Sequence, residues 1–413
     1  MCVPAQSARC MCREWGWRTW DAAPVSDQPF ANYQNEIYLN GMAGVHPSLP
    51  CEPGQLEDLA RERFQPEPFG YVAGSAGTEG TARENRAAFD RWRIVPRFLR
   101  DVSARDLSTT ILGTSFPAPI ALAPVGVQGI VHEEAELAVA RAAASLRVPI
   151  VLSTVSSYRM EEVAEAGGDS PRWFQLYWPR DRDVASSFIG RAKAAGFTAL
   201  VVTLDTFILA WRPRDLGAAY LPFLQRMGLA NYESDPAFLA GLEKSPEDDP
   251  GASVLRWLTM FGDPTKKWDD LVWLREQWDG PLLLKGVLHP EDARKAADAG
   301  VDGVIVSNHG GRQIDGEIAS LDALPGVVDA VGDRMTVLLD SGVRTGSDVV
   351  KALALGAKAV LIGRPYVYGL GLGGEDGVRH VLRSLLAEFD LTMALAGCRN
   401  LADLTAEGLL VRA

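Results

Sequence analysis

The chain is poor in three things, each of which would have placed it in a different class of protein. Basic charge is outweighed: 41 Lys and Arg stand against 53 Asp and Glu, for a formal net charge of −12. No Lys/Arg stripe is present that would neutralise a phosphate backbone or an anionic bilayer, which argues against nucleic-acid and membrane partners. Cysteine is scarce. Cys2, Cys10 and Cys12 crowd the start while Cys51 and Cys398 stand alone, so neither a disulfide framework nor a zinc-ligand spacing emerges. Long apolar runs are missing as well; none reaches the roughly 18 residues of a membrane-spanning helix. The opening MCVPAQSARCMCREWGWRTW lacks the continuous apolar core of a secretory signal. The expectation is a soluble protein of a reducing cytoplasm with no metal site, in which residues 1–28 form a disordered extension.

What is present is a rhythm. With 413 residues, 47% of them hydrophobic, and 40 glycines, the chain is long enough for a large, many-turned α/β fold. After residue 110, short apolar runs alternate with Ala-rich amphipathic stretches such as Glu133–Leu146 and Glu291–Ala299. The runs are Pro119–Pro124, Pro149–Thr154, Arg172–Tyr177, Ala199–Asp205, Pro281–Gly286, Gly303–Asn308, Thr336–Ser341 and Ala359–Arg364. Each is too short for a helix and lacks period-two alternation, the pattern of a strand buried on both faces. A repeat supports the unit: Ala195–Val202, Ala299–Val306 and Leu355–Ile362 each read as helix end, glycine cap and buried strand. Eight such units predict a (β/α)8 TIM barrel over residues 111–413, with an open doubly wound sheet as the alternative.

Residues 29–110 are expected to form a helical segment packed on the barrel. Between Gln55 and Trp92, apolar positions recur at spacings of three and four, interrupted by a small-residue turn from Phe69 to Gly77 that carries Tyr71. Strand starts lie 22 to 33 residues apart except between Ala199 and Pro281, where the gap is 82. Roughly 50 residues are therefore inserted after the fourth strand, on the face where barrel enzymes place their sites. The stretch 207–280, rich in aromatics and charges, is read as a lid over a small ligand.

If the barrel is right, the strand ends converge, and they are strongly polar: Gln175-Leu-Tyr177, Thr203-Leu-Asp205, Lys285-Gly286, Ser307-Asn-His309, Asp340 to Arg344, and Gly363-Arg364. A purely structural barrel needs none of these groups. His309 offers a proton acceptor near neutral pH. Arg312 offers a planar fork for a carboxylate. Glycine plus arginine at the ends of strands seven and eight suits a phosphate. Lys285 would place a cation beside the axis, or pair with Asp340 or Asp205; Asp205 would orient His309, or form a plain salt bridge.

Together, Ser307-Asn-His-Gly-Gly-Arg-Gln313, Phe174–Tyr177, Thr203–Asp205, Leu284–Gly286, Asp340–Arg344 and Ile362–Arg364 resemble the FMN-dependent α-hydroxy acid oxidase/dehydrogenase family, from about residue 31 to 413. Asn35–Tyr38, Phe69–Gly74, Trp211–Leu216 and Asn231–Pro236 resemble its lactate 2-monooxygenase branch. The resemblance implies FMN as cofactor and His309 as base, with Asp205 stabilising the imidazolium. It implies that Arg312 and Tyr71 hold the carboxylate, Tyr177 the hydroxyl, and Arg212 a supporting position. It implies FMN contacts from Ser153, Gln175 and Thr203 along the ring, Lys285 and Ser307 at its edge, and Asp340 beside them. Gly342, Arg344, Gly363 and Arg364 would take the phosphate, and Pro124, Val125 and Gly126 would lie beside N5.

The implied reaction is oxidation of an L-2-hydroxy acid, foremost L-lactate, with O2 as acceptor, giving acetate, CO2 and water. The alternatives are an oxidase or dehydrogenase releasing the 2-oxo acid, on a larger substrate in one version, and a non-redox flavin- or phosphate-binding barrel. The resemblance also implies a homotetramer or homo-octamer. Two positions depart from many glycolate-type relatives, which carry alanine in place of Gly126 and an aromatic in place of Val155.

Overall fold

Eight short parallel strands close on themselves in a computed structural model that describes residues 29–413; the extension expected over residues 1–28 lies outside the described residues. The strands are β1 (Ile120–Leu122), β2 (Ile150–Ser153), β3 (Arg172–Tyr177), β4 (Leu200–Thr203), β5 (Leu282–Lys285), β6 (Gly303–Val306), β7 (Thr336–Leu339) and β8 (Val360–Ile362). Each pairs with the next, and β8 returns to β1 through Val360↔Ile120, Leu361↔Ala121 and Ile362↔Leu122. That last pairing makes the (β/α)8 barrel and excludes the open sheet.

The barrel interior holds one core residue per strand: Ala121, Val151, Trp173, Val201, Leu283, Ile305, Leu338 and Leu361. Neighbouring strand residues such as Leu122, Leu152 and Val202 point outward into a separate core shared with the helices. Both faces are apolar, which is why no alternation shows in these strands. A hairpin of Thr109–Ile111 and Thr114–Phe116 closes the bottom, with Phe116 against Trp173 at 5.9 Å between ring centroids. Because side chains on one face recur every second residue, the next inward positions are Ala123, Ser153, Gln175, Thr203, Lys285, Ser307, Asp340 and Gly363. Apolar layer and polar mouth are two rungs of one ladder.

Ahead of the barrel come α1 (Asn32–Met42), α2 (Pro53–Arg63), α3 (Pro66–Ala73) and α4 (Gly80–Asp90). The expected turn over Phe69–Gly77 is corrected here: α3 runs through Ala73, and only the following residues turn. Pro66 sits in the first turn, where its fixed φ favours a helix and its missing N–H costs nothing. Gly70 disguised this helix in the sequence. Tyr71 thus projects from a regular element.

The segment after β4 is folded. It carries short helices at Pro213–Gly217, Ala230–Glu233 and Pro236–Ala240 and a longer one at Pro250–Met260. The helix Asp270–Gln277 that follows takes the ordinary place between β4 and β5, so the insertion proper spans Phe207 to Gly262. Its ends are pinched together: a Cβ built on Gly262 would lie 2.2 Å from the Phe207 carbonyl oxygen. Its interior stacks Phe223 on Trp257 at 4.3 Å, with Phe261 tilted against Trp257 at 4.8 Å. Asp235, fully buried, pairs with Arg191 of the barrel helix at 3.2 Å.

Gly262 combines a φ of +74° with that backbone contact, whereas Gly300 has a φ of +75° and open space around its Cβ position. Gly300→Ala should cost about 1 kcal/mol from backbone strain. Gly262→Ala should cost about 1–3 kcal/mol more from the added clash. Thermal unfolding of the two variants side by side checks this; equal losses would remove the pinch as a constraint.

Candidate active site

The site is assembled where β6 ends. Val306 leads into Ser307, Asn308 and His309, and His309 takes a left-handed φ of +56° that turns its imidazole toward β4. Its Nδ1 lies 2.8 Å from Asp205 Oδ1. Thr206 Oγ1 lies 3.0 Å from the same nitrogen and donates to Asp205 Oδ1 at 2.8 Å. A carboxylate only accepts, so Asp205 fixes the proton on Nδ1 and leaves the Nε2 lone pair free. Burial alone would raise the Asp205 pKa, but His309 and Lys285 hold it down at about 2. Burial pushes His309 below its ordinary value against the opposing pull of Asp205. The imidazole is therefore neutral at neutral pH, the state a base needs.

The loop after His309 is docked on the N-terminal helices. Asn308 and Asn85 exchange amide hydrogen bonds, both at 2.8 Å. Gly311 brings its backbone so close that an added Cβ would meet Ala82 N at 2.6 Å. Asp315 accepts from Thr78 N at 2.6 Å and Gly80 N at 2.7 Å, at the start of α4. These contacts bring Tyr71 to Arg312, whose guanidinium carbon lies 5.1 Å from the tyrosine ring centroid. Asn85 and Asp315 were not legible as site-building residues, because an Asn inside a helical stretch and an Asp in a turn carry no distinguishing pattern.

Four guanidiniums cluster in this mouth, and none forms a salt bridge among the described residues. Arg312 donates to the carbonyls of Tyr71 at 2.7 Å and Gly74 at 2.6 Å. Arg212 donates to the Arg312 carbonyl at 3.0 Å and to Gln313 Oε1 at 2.7 Å. Arg364 donates to Val72, Gly74 and Gly310 carbonyls and to Ser75 Oγ, at 2.8 to 3.0 Å. Arg344 donates to the Val343 carbonyl at 2.9 Å. All these acceptors are neutral, and Asp215 acts on Arg312 and Arg212 through space without an ion pair, so the positive charge is only partly compensated. Burial and the neighbouring Arg212 push Arg312 down to about 9; burial and Arg364 push Arg344 down to about 10. Both remain cations at neutral pH. Such an arrangement is costly unless anions complete it.

One cavity is lined by Pro124, Val125, Lys285, His309, Arg312, Asp340, Gly342, Arg344, Gly363 and Arg364 together. The predicted residues outside that lining fall on neighbouring positions. Ser153 Oγ and Gln175 Oε1 bond at 3.0 Å, while the buried Gln175 Nε2 has no partner among the described residues. Thr203 stands in register between Tyr177 and Lys285. Lys285 bonds Ser307 Oγ at 2.8 Å and pairs with Asp340 Oδ2 at 3.1 Å, so of the alternatives left open for it the Asp340 pair is realised. Tyr177 stacks edgewise on Phe261 at 5.3 Å, and Tyr71 meets Tyr220 of the insertion at 6.3 Å. Thr206, Tyr220 and Ser341, whose Oγ accepts from Gly310 N at 2.9 Å, are additions that the strand ends alone did not reveal. Gly342 earns its glycine elsewhere: at φ +89°, an added Cβ would meet the Asn85 carbonyl at 2.4 Å. Gly126 is likewise compelled, since a Cβ there would meet Val155 Cγ2 at 2.4 Å.

A barrel mouth with a neutral His–Asp pair on one polar cavity, and arginines on either side of it, suits a base acting on small acids beside an anionic cofactor. The chain belongs to the FMN-dependent dehydrogenase family, whose model matches residues 60–411. It is 47% identical over 378 residues to the FMN-dependent alpha-hydroxy acid dehydrogenase qulF of Penicillium citrinum, covering 91% of this chain and 94% of that one. It is 47% identical to an L-lactate oxidase of Lysinibacillus sphaericus, covering 89% and 95% of the two chains. Among solved structures, mandelate oxidase with (S)-4-hydroxymandelic acid matches with a TM-score of 0.79 at 38% identity, covering 88% of this chain and 99% of that one. FMN is the cofactor, and the residues present fit it: the half-buried Arg344 forms no ion pair among the described residues and the buried Gln175 amide lacks an acceptor there. The chemistry is FMN-dependent oxidation of a 2-hydroxy acid. No helix of the described residues is long and apolar enough to cross a membrane.

The direction of the His309 shift has a consequence for pH. A base whose pKa lies below 6.5 stays unprotonated down to that lowered value and is lost as pH falls through it. Flavin reduction, followed anaerobically, should be flat above about pH 6.5 and fall tenfold per pH unit only below the lowered pKa. An acid limb centred above pH 7 would contradict the neutral-base arrangement.

Proposed function

We propose that the protein oxidises an L-2-hydroxy acid, with L-lactate the leading substrate, and passes the electrons to O2. The observation that carries this reading is that His309, paired with Asp205, lines one cavity with Arg312, which forms no ion pair among the described residues. A non-redox binder has no use for a neutral base beside a carboxylate clamp. Arg312 takes the substrate carboxylate through two parallel hydrogen bonds, with Tyr71 alongside and Arg212 keeping the Arg312 backbone in place. Tyr177 receives the substrate hydroxyl. His309 accepts a proton at Nε2, and Asp205 stabilises the imidazolium that results.

FMN, when bound, supplies the two-electron acceptor. Its ring would be held by Ser153, Gln175, Thr203, Lys285 and Ser307, with Pro124, Val125 and Gly126 beside N5. Its phosphate would be held by Gly342, Arg344, Gly363 and Arg364, with Asp340 keeping Lys285 oriented. Within the stretch 207–280, the insertion from Phe207 to Gly262 would act as a lid that retains the first products long enough for pyruvate and peroxide to react, so that lactate and O2 leave as acetate, CO2 and water. The second reading, release of pyruvate with H2O2, draws support from the names of relatives such as L-lactate oxidase. A homotetramer or homo-octamer in the cytoplasm completes the proposal.

The purified protein should be yellow and bleach anaerobically with L-lactate; no bleaching with any short 2-hydroxy acid would sink the redox reading. His309→Gln should keep its FMN and lose flavin reduction by about 100-fold or more, the usual scale for a removed general base. Product analysis from L-lactate under air separates the two outcomes: acetate marks the monooxygenase, pyruvate with stoichiometric H2O2 the oxidase.

A further inference from the structure

Arg212 is a buried cation carried by the insertion, and its place is set by a side chain to which no role has yet been given. Its Nε donates to the Arg312 carbonyl at 3.0 Å and its Nη2 to Gln313 Oε1 at 2.7 Å. Gln313 Nε2 in turn donates to the main-chain carbonyl of Asp205, the partner of the base, and reaches toward the Ile208 carbonyl at 3.5 Å. An arginine only donates and a carbonyl only accepts, so the amide fits in one orientation, oxygen to Arg212 and nitrogen to the end of β4. A carboxylate of that length would lose the donor, and a thioether would lose both bonds. Trp211 and Arg214, on either side of Arg212, reach the N-terminal segment instead: the Trp211 carbonyl accepts from Gly77 N at 3.1 Å, and Arg214 pairs with Glu79 at 2.6 Å.

A competing partner for Arg212 is built into the same stretch. Asp215, in the short helix Pro213–Gly217, has a buried Oδ1 with no partner among the described residues. Its carboxyl acts through space on Arg312, Arg212 and Arg214, and burial raises its pKa. Arg214 is already taken by Glu79. A guanidinium released by Gln313 therefore has a carboxylate to turn to, and pairing would relieve the cost of burying that carboxylate alone. Such a pair would draw Arg212 off the Arg312 backbone.

We propose that Gln313 is a positioning residue for substrate binding, whose amide keeps Arg212 on the Arg312 backbone and away from Asp215, so that Arg312 is held ready for the substrate carboxylate. The proposal rests on the reading of Arg312 as the carboxylate clamp and deepens it. Gln313 acts through Arg212, so its loss weakens carboxylate binding. Proton transfer to His309 stays in place, because Asp205 keeps its own bonds to His309 and Thr206.

Two measurements test it. Holoenzyme is first titrated with propanoate, a carboxylate of lactate's chain length with no hydroxyl to oxidise, following the flavin absorbance. Gln313→Met should weaken propanoate about tenfold, the lower end of what a hydrogen bond to a charged group is worth. Adding Asp215→Asn to that variant should restore binding to within about threefold of the unaltered protein, and Asp215→Asn alone should stay within the same range. Should the Met variant fail to fold, Gln313→Glu reads the same joint: its carboxylate neutralises Arg212 and should also weaken propanoate about tenfold. Anaerobic reduction by L-lactate then follows. In Gln313→Met the dissociation constant should rise about tenfold, while the limiting rate stays within about threefold and the acid limb of the pH profile does not move. Propanoate binding that the Gln313 variants leave unchanged, or a loss that Asp215→Asn does not relieve, overturns the proposal even where lactate bleaches the flavin. A fallen limiting rate with an unchanged dissociation constant overturns it as well, and places the effect of Gln313 on Asp205. Weakened propanoate binding that Asp215→Asn rescues supports the positioning role even if no acid bleaches, and the failure then belongs to the redox reading.

Discussion

The structure is organised around four arginines, partly withdrawn from water, that form no ion pair among the described residues and have only Asp215 acting on Arg312 and Arg212 through space. Arg312, Arg344, Arg212 and Arg364 are satisfied as hydrogen-bond donors by carbonyls, an amide and a hydroxyl, and burial together with the neighbouring Arg212 and Arg364 lowers Arg312 and Arg344 while leaving them charged. An uncompensated buried cation costs several kcal/mol, and the remaining architecture can be understood as what makes that cost bearable. The carbonyls that receive Arg312 and Arg364 come from the α3 end and the Gly310 turn, so the N-terminal helices are needed to solvate these two guanidiniums from within. The acids nearest the axis are already taken, Asp205 by His309 and Asp340 by Lys285. What is left over is a field suited to a phosphate at one end and a carboxylate at the other. Binding of both anions therefore stabilises the fold as well as enabling the reaction.

Much of this was legible because a parallel barrel couples its core to its site by a fixed step. Val201 in the apolar layer implies Thr203 two residues on; Leu283 implies Lys285, Ile305 implies Ser307, and Leu338 implies Asp340. Once the runs are recognised as strands, polar residues at their ends must point at the axis. The arginines on strands seven and eight follow by the same reasoning. What stayed hidden depends on contacts between distant segments. Gly70 made α3 look like a turn. Asn85 grips Asn308 from a helix whose pattern showed only apolar spacing. Thr206 reads as an ordinary residue after Asp205, although it bonds both members of the pair.

The insertion is better understood as two parts with different jobs. Residues from Gly228 onward are bolted to the barrel. Asn231, fully buried, accepts from Met160 N at 2.8 Å and donates to the Thr154 carbonyl at 3.0 Å. Arg191 pairs with Asp235 and bonds the Asn231 carbonyl at 2.8 Å. The stretch from Phe207 to Leu224 exposes Ile208, Trp211 and Leu216, and rests on the site through Arg212 and the Tyr220–Tyr71 contact. Motion that admits substrate would fall on this second part, because the first has few groups to release without leaving buried donors and acceptors unpaired.

The fixed part also explains the pair of departures at Gly126 and Val155. Gly228, at φ +80°, is pressed so near that a Cβ there would meet Val127 Cγ1 at 2.3 Å and the Val155 carbonyl at 2.9 Å. That carbonyl also accepts from Val127 N at 2.8 Å. The insertion thus pushes the loop after β2 onto the loop after β1, and the Val155 methyl takes the place that a Cβ at 126 would need. A glycine at 126 and a compact, branched residue at 155 become one solution to one packing problem, set by a segment more than 70 residues away in sequence. A Cβ at 126 would first have to displace the Val155 methyl. The small residues there therefore do not by themselves create room for a larger substrate.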